Sequence, residues 1–280
     1  MSTLAVARKD FRDALRSRVL LGLTGLFVLF VAGASYFFAR IQPQPGTGGD
    51  PTALVLIFSL LTPASLFVPI LGLALGYKAV AGERESGRIK LLLSLPHSRL
   101  DVVLGKALGR TGVLVVPVVV GFAVGAAVIF WQSSRFTPVN YVAFAFATVL
   151  LGLAYIAIGV AISSATTSTF RALIGGLSLL AVLEFLWRPV RIAIVYLVNG
   201  LSLPQQAPGD WYFFLQTLPP GSAYSNAARS LLPKNPTTLA ITGPTPDAFY
   251  LQDWFGFVIL AVWIIVPLAL GYRRFERTDL

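Results

Sequence analysis

Residues 82–90 read Gly82-Glu83-Arg84-Glu85-Ser86-Gly87-Arg88-Ile89-Lys90, and they form a polar stretch between two long apolar runs. Seven basic residues lie from Lys78 to Arg110, together with three of the chain's twelve acidic residues. Charge concentrated in this way between apolar runs indicates an aqueous loop that joins two membrane-spanning helices. We expect this loop to meet a partner in the aqueous phase.

The composition assigns the chain to the membrane proteins. Of its 280 residues 56% are hydrophobic and only 12% are charged, whereas a soluble domain carries about a quarter charged residues. The net charge of +10 would favour nucleic-acid binding in a soluble protein. Here the basic residues flank apolar runs, so no nucleic-acid partner is expected. The chain has no cysteine, which excludes disulfides and thiolate metal sites.

Six apolar runs are long enough for helical spans of about 20 residues. The sequence therefore predicts an all-α polytopic membrane protein with one transmembrane domain over residues 1–280. The predicted spans are 19–39, 53–76, 107–131, 139–162, 172–198 and 255–272. Residues 1–18 predict an amphipathic interfacial helix, because their apolar and charged positions separate at helical spacing. A cleaved signal peptide is the alternative for this end, but the apolar run exceeds the usual 7–15 residues of a signal h-region.

The basic residues predict the orientation of the spans. Sixteen of the 22 lie in the N-terminal segment, the stretch from Lys78 to Arg110, the short loop that contains Arg171, and the C-terminal segment. Four lie in the opposite set of loops. Because cytoplasmic loops are enriched in Lys and Arg, we expect a multi-pass protein of the cytoplasmic membrane with both termini and the 77–106 loop inside.

The outer loop 199–254 contains two further apolar segments, Trp211–Leu215 and Ala223–Leu232. Neither is long enough to span, so both are predicted to be interfacial or re-entrant helices, separated at Pro219-Pro220. This loop either lies on the membrane surface for stability or serves as a functional gate.

The sequence contains little that predicts catalysis. His97 is the single histidine, and the pattern of a phosphate-binding P-loop is absent. We therefore expect neither enzymatic activity nor a metal or cofactor site in this chain. Glu184 is the one acid within a predicted span, and Arg188 and Arg191 follow at helical spacing. Since a carboxylate in hydrocarbon needs a partner, the three residues predict either a structural ion pair or part of a pathway for a polar substrate.

Local patterns predict helix ends and helix contacts. Ser98-Arg99-Leu100-Asp101 predicts a capping box that begins a helix running into the third span. Residues 88–95 predict a short amphipathic segment that ends at Pro96. Glycines recur at the spacing that allows close helix packing in lipid, in the pairs Gly72 and Gly76, Gly105 and Gly109, Gly121 and Gly125, and Gly152 and Gly159.

The polar stretch resembles the cytoplasmic segment of type-2 permease subunits of ATP-binding-cassette transporters. The shared residues are Gly82-Glu83-Arg84-Glu85, Gly87, Leu91-Leu92, Ser94, Pro96 and Ser98-Arg99, followed by Gly105-Lys106. The segment Leu218-Pro219-Pro220-Gly221-Ser222-Ala223-Tyr224 resembles the subgroup that includes the nitrous-oxide-reductase maturation permease. A purely basic loop that obeys the positive-inside rule would explain the Lys and Arg residues, but not the two glutamates, two glycines and leucine run together.

The resemblance implies a function. It makes the loop between spans two and three a cytoplasmic coupling helix that docks on a separate ATPase subunit, which binds the ATP and Mg²⁺. The implied coupling residues are Glu83, Arg84, Glu85, Gly87, Arg88, Leu91, Leu92, Leu95 and Pro96. The expected assembly is a homodimer, or a pair with a related permease subunit, surrounded by membrane lipids. The expected activity is ATP-driven transport, in the direction of export. The alternative is a mechanotransmission or assembly factor that docks the ATPase without moving a soluble substrate.

Overall fold

A computed structural model of the protein describes residues 3–15, 18–40, 53–87, 89, 98–132, 138–202, 209–231 and 247–277. Within these ranges the chain forms helices joined by turns, and none of the described residues is in a strand. The predicted all-α class is therefore confirmed.

Eleven α-helices cover most of the described residues. They are α1 (Thr3–Leu15), α2 (Arg18–Arg40), α3 (Ala53–Gly76), α4 (Ala81–Glu85), α5 (Arg99–Gln132), α6 (Pro138–Ala165), α7 (Thr169–Glu184), α8 (Trp187–Val198), α9 (Asp210–Thr217), α10 (Pro220–Ser230) and α11 (Phe255–Glu276). A short 3₁₀ helix at Phe249–Leu251 precedes α11.

Four helical stretches in the described part of the chain are long and apolar enough to cross a membrane. They are Pro63–Glu85, Arg99–Trp131, Tyr141–Ala165 and Phe255–Glu276. Helices α7 and α8 make a fifth if the pair, bent by 66°, is counted as one span. Leu21–Phe37 of α2 forms a shorter apolar helix. The protein is thus a multi-pass membrane protein, and the count of six spans remains a prediction.

Helix α6 lies at the centre of the bundle, where it contacts α3, α5, α10 and α11. Glycines bring α3 and α6 together: a Cβ at Gly76 would lie 2.9 Å from the Gly159 Cα, and one at Gly72 would lie 2.8 Å from the Gly152 carbonyl oxygen. Such distances leave no room for a side chain, so the predicted close packing at these glycines occurs.

The segment before the last helix enters the bundle. Helices α9 and α10 are separated at Pro219, close to the predicted break. Helix α10 packs against α3, α6 and α11, and Tyr224 within it is fully buried, with its hydroxyl 2.9 Å from the Thr148 Oγ1. Helix α10 is therefore buried within the bundle, and the role of the 199–254 loop stays a prediction.

The N-terminal helix α1 packs along the first turns of α5. The Thr3 hydroxyl donates a hydrogen bond of 2.6 Å to Asp101, and Gly105 and Gly109 give α1 room to approach. Asp101 also completes the predicted capping box: its backbone N–H donates to the Ser98 Oγ (3.0 Å) and the Ser98 N–H donates to its carboxylate (3.2 Å). The predicted start of this helix is therefore correct.

Candidate functional site

The chain between α3 and α4 is anchored on α6. Residues 79–81 are fully buried, and the N–H groups of Val80 and Ala81 donate to the Ser163 Oγ at 3.0 and 2.9 Å. The first N–H groups of a helix have no partner within that helix, and a hydroxyl oxygen supplies one. Ser163 thereby fixes where α4 begins, a role that its sequence context did not indicate.

Glu83 in α4 joins a buried cluster of charges. Lys106 of α5 is only 2% exposed and lies 2.8 Å from Glu83 and 3.4 Å from Asp10. Arg110 donates from Nε and Nη2 to the same Asp10 carboxylate. A buried charge is tolerated only when it is paired. The cluster therefore holds α1, α4 and α5 together, and we call these four residues the buried charge cluster.

Arg84 faces the end of the last helix. Its guanidinium donates 2.9 Å to the Thr166 carbonyl and lies over the Phe275 ring, 5.0 Å from the centroid. Arg99 lies over the same ring at 5.4 Å and donates 2.8 Å to the Glu276 carbonyl. Cations near the last carbonyls of a helix and over an aromatic face are both stabilising. The two arginines therefore hold the end of α11 beside α4 and α5.

Glu85 caps a different helix. Its carboxylate accepts from the Thr169 backbone N–H at 2.7 Å and from the Thr169 hydroxyl at 2.8 Å. A negative charge at a helix N-terminus stabilises the unpaired N–H groups and the helix dipole. Glu85 thus connects α4 to the first turn of α7, whose own N-cap residue is Ser168.

The three consecutive side chains of α4 therefore reach three different parts of the bundle. Glu83 pairs with Lys106 in the buried charge cluster, Arg84 lies over Phe275 at the end of α11, and Glu85 accepts from Thr169 at the start of α7. Gly87 follows with φ +71° and open space around it, a conformation that glycine adopts without strain. Helix α4 with Gly87 is the candidate functional site, because it links several spans to the segment after it.

The remaining predicted coupling residues lie beyond α4. Arg88, Leu91, Leu92, Leu95 and Pro96 fall outside the described residues, and the predicted amphipathic segment falls there with them. Ile89 is described, and it is buried. The role of the leucines therefore stays a prediction.

The residues predicted around Glu184 do not lie on one helix face. Helix α7 ends at Glu184, and α8 leaves at 66°, so the helical spacing to Arg188 and Arg191 does not apply. Glu184 instead accepts hydrogen bonds from the Tyr155 hydroxyl and the Gly221 N–H. Arg188 is exposed, and Arg191 lies over the Tyr212 ring at 4.7 Å. The expected shared face is wrong, because the chain bends directly after the carboxylate.

The buried role of Asp10 was not anticipated from the sequence. The sequence indicated that the apolar and charged positions of α1 separate at helical spacing, whereas the structure buries Asp10 together with Val6, Ala7 and Ala14 and leaves Leu4 73% exposed. Gly105 and Gly109 of α5 were the available signal in the sequence, because they mark where α1 packs closely against α5. Across the described residues, no group of three His, Cys, Asp or Glu side chains is placed to hold a metal ion.

Comparison with known proteins identifies the family. Residues 4–280 match the ABC-2 family transporter protein. The chain is 29% identical to the probable ABC transporter permease protein NosY of Pseudomonas aeruginosa, over 97% of this chain and 97% of that protein. It is 30% identical to the protein of the same name from Stutzerimonas stutzeri, again over 97% of both chains. The match runs through the whole chain, α4 included, and the chain belongs to the ABC-2 family of transporter proteins.

Proposed function

We propose that this protein is the permease subunit of an ATP-binding-cassette exporter and that α4 with the segment after it couples the spans to a separate ATPase. The relatives named as ABC transporter permeases support the first part. The second part is supported by the contacts that Glu83 makes with Lys106, Arg84 with Phe275, and Glu85 with Thr169. A displacement of the segment after α4 would act through them on α5, α11 and α7 together.

The contacts at this end of the bundle support a cytoplasmic position for it. Thr3 contacts Asp101, Arg99 contacts the end of α11, and Glu85 contacts the start of α7. The four segments that contain sixteen of the 22 basic residues therefore meet at one end. By the positive-inside rule this end faces the cytoplasm, where an ATPase subunit and its ATP and Mg²⁺ are available. The membrane would then be the cytoplasmic membrane.

The proposed contact with the ATPase is apolar at its centre. Leu91, Leu92 and Leu95 would enter a groove of the ATPase, with Arg88 and Pro96 at the edges of the contact. Buried apolar anchors carry most of the affinity of such interfaces, while polar residues around them contribute less. ATP hydrolysis belongs to the partner in this proposal, and this chain contributes the movement of its spans.

Two permease chains are needed for a complete pathway in this proposal. One chain offers a single α4, and two ATPases that close on each other would act on two such helices. A closed pair with two-fold symmetry is the simplest assembly. The mass of the detergent-solubilised complex, measured by light scattering, should correspond to two permease chains with two ATPases.

Co-purification tests the coupling proposal. The chain, co-expressed with an ATP-binding-cassette ATPase from the same organism, should retain that ATPase through solubilisation, and Leu92→Glu should abolish the association. Leu100→Glu is the matched control, because Leu100 is 42% exposed in the first turn of α5 and lies outside the proposed contact. Equal recovery of the ATPase with Leu92→Glu and with the unaltered chain would refute the assignment.

A further inference from the structure

We propose that a pocket among α1, α2, α3, α5 and α7 binds an anionic phospholipid from the leaflet at this end of the bundle. The pocket has a volume of about 330 Å³, within the range of small-ligand sites. Its lining includes Ala14, Leu23, Ile70, Leu73, Lys78 and Arg110, and we call it the basic pocket. The proposal does not depend on the coupling role of α4.

Both cations lie at the same end of the basic pocket. Arg110 donates 3.2 Å to the Leu75 carbonyl, in the last turn of α3, and Lys78 follows three residues later in the chain. The contacts of Arg110 with Asp10 and Leu75 use three of its five N–H donors among the described residues. Two donors therefore remain for a phosphate oxygen. Lys78 is exposed, lines the pocket and adds a second positive charge.

The rest of the basic pocket is apolar and follows the helices into the membrane. Ile70 and Leu73 of α3 line it together with Leu173 and Leu177 of α7. Ile70 to Gly76 rises about 9 Å along the helix axis at roughly 1.5 Å per residue. This length accommodates the part of an acyl chain next to the headgroup. Ile70 and Leu177 are both partly open to the surroundings, so a lipid can enter sideways.

The combination of charge and depth favours an anionic lipid over other occupants. Basic pockets between spanning helices on the cytoplasmic side characteristically bind anionic headgroups. A larger cavity of about 420 Å³ lies among α6, α7 and α11, but its walls are apolar apart from Arg274. That cavity has one cation at its edge, and nothing in it distinguishes an anionic lipid from any other apolar occupant.

Native mass spectrometry of the full chain tests the proposal, with phosphatidylglycerol and phosphatidylcholine of identical acyl chains as probes. Phosphatidylglycerol should be retained preferentially. Lys78→Gln should lower its apparent affinity about fivefold, the effect of one basic residue near an anionic headgroup, and leave phosphatidylcholine unchanged. Arg12→Gln is the matched charge control, since Arg12 is exposed on α1 and does not line the pocket.

A second variant tests the apolar wall independently of charge. Leu177→Trp should fill the pocket and reduce retention of phosphatidylglycerol, whereas Val142→Trp, on the exposed surface of α6, should not. Equal retention of both lipids, or equal effects of Lys78→Gln and Arg12→Gln, would overturn the proposal. Displacement of the lipid by millimolar inorganic phosphate would show a small-anion site instead. Dissociation of a dimer by Leu177→Trp with lipid retention intact would show a contact between two copies.

Discussion

Substitution of Lys106 by methionine should destabilise the protein strongly. Lys106 is 2% exposed and pairs with Glu83 at 2.8 Å and Asp10 at 3.4 Å. Methionine fills a similar volume but leaves the Glu83 carboxylate without its close cation, while Asp10 keeps Arg110. Removal of one partner from a buried ion pair costs about 3–5 kcal/mol. Because the Glu83 side chain is 17% exposed, we expect the lower end of that range.

The free energy of unfolding in mixed micelles, measured by titration with denaturing detergent, checks this expectation. Lys9→Met is the matched control: Lys9 lies 3.9 Å from the same Glu83 but is 58% exposed, and an exposed pair contributes about 0–1 kcal/mol. The double variant Lys106→Met with Glu83→Gln should recover part of the loss, since it no longer leaves an unpaired charge. If Lys106→Met changed the free energy of unfolding by less than about 0.5 kcal/mol, the buried charge cluster would be refuted. Strictly additive losses of the two substitutions in the double variant would refute it as well.

Three further changes test the contacts that position α4 and its neighbours. Gly76→Ala should cost about 1–3 kcal/mol of unfolding free energy, because the new Cβ would lie 2.9 Å from the Gly159 Cα. The control is Gly22→Ala, which has open space around it and should not destabilise through a clash. Equal losses in the two variants would contradict the α3–α6 contact. Tyr224→Phe should lower the free energy of unfolding by about 1 kcal/mol, because it removes the hydrogen bond to Thr148. Tyr196 is exposed, so Tyr196→Phe should change that free energy little. Equal effects of the two substitutions would contradict the burial of α10. Glu85→Ala should accelerate amide hydrogen exchange in the first turn of α7, because the Thr169 N–H loses its acceptor. Ser86→Ala is the control and should leave that exchange unchanged. Unchanged exchange in Glu85→Ala would show that Glu85 does not cap α7.

The sequence predicted those features that local chemistry determines. The capping box at Ser98 and Asp101 needs only four residues at fixed spacing, and the structure contains it. The break at Pro219 follows from the missing N–H and fixed backbone angle of proline. The close contact of α3 with α6 was indicated by glycines at packing spacing, although the pattern did not reveal which glycines would meet.

The contacts of α4 could not be predicted in the same way. Three of its partners, Ser163, Thr166 and Thr169, lie about 80 residues away in the chain. Periodicity indicates which face of a helix is buried, but the partner on the opposite side depends on how the whole bundle packs. The break after Glu184 was also missed. Pro189 was the available signal, because a proline cannot donate to the carbonyl of Phe185 and so interrupts the helix just after Glu184. The partners of the carboxylate on α6 and α10 could not be foreseen from the sequence.

Photo-crosslinking from a single introduced cysteine tests the central claim most directly. The chain has no cysteine of its own, so Leu92→Cys provides one attachment point for a photoreactive label in the proposed contact. Val139→Cys is the control. Val139 is exposed at the start of α6, which follows the C-terminal end of α5, whereas position 92 precedes the N-terminal end of α5. Our proposal predicts a crosslink to the co-expressed ATPase from position 92 and none from position 139. A crosslink from position 139, or none from position 92 while the ATPase remains bound, would contradict it.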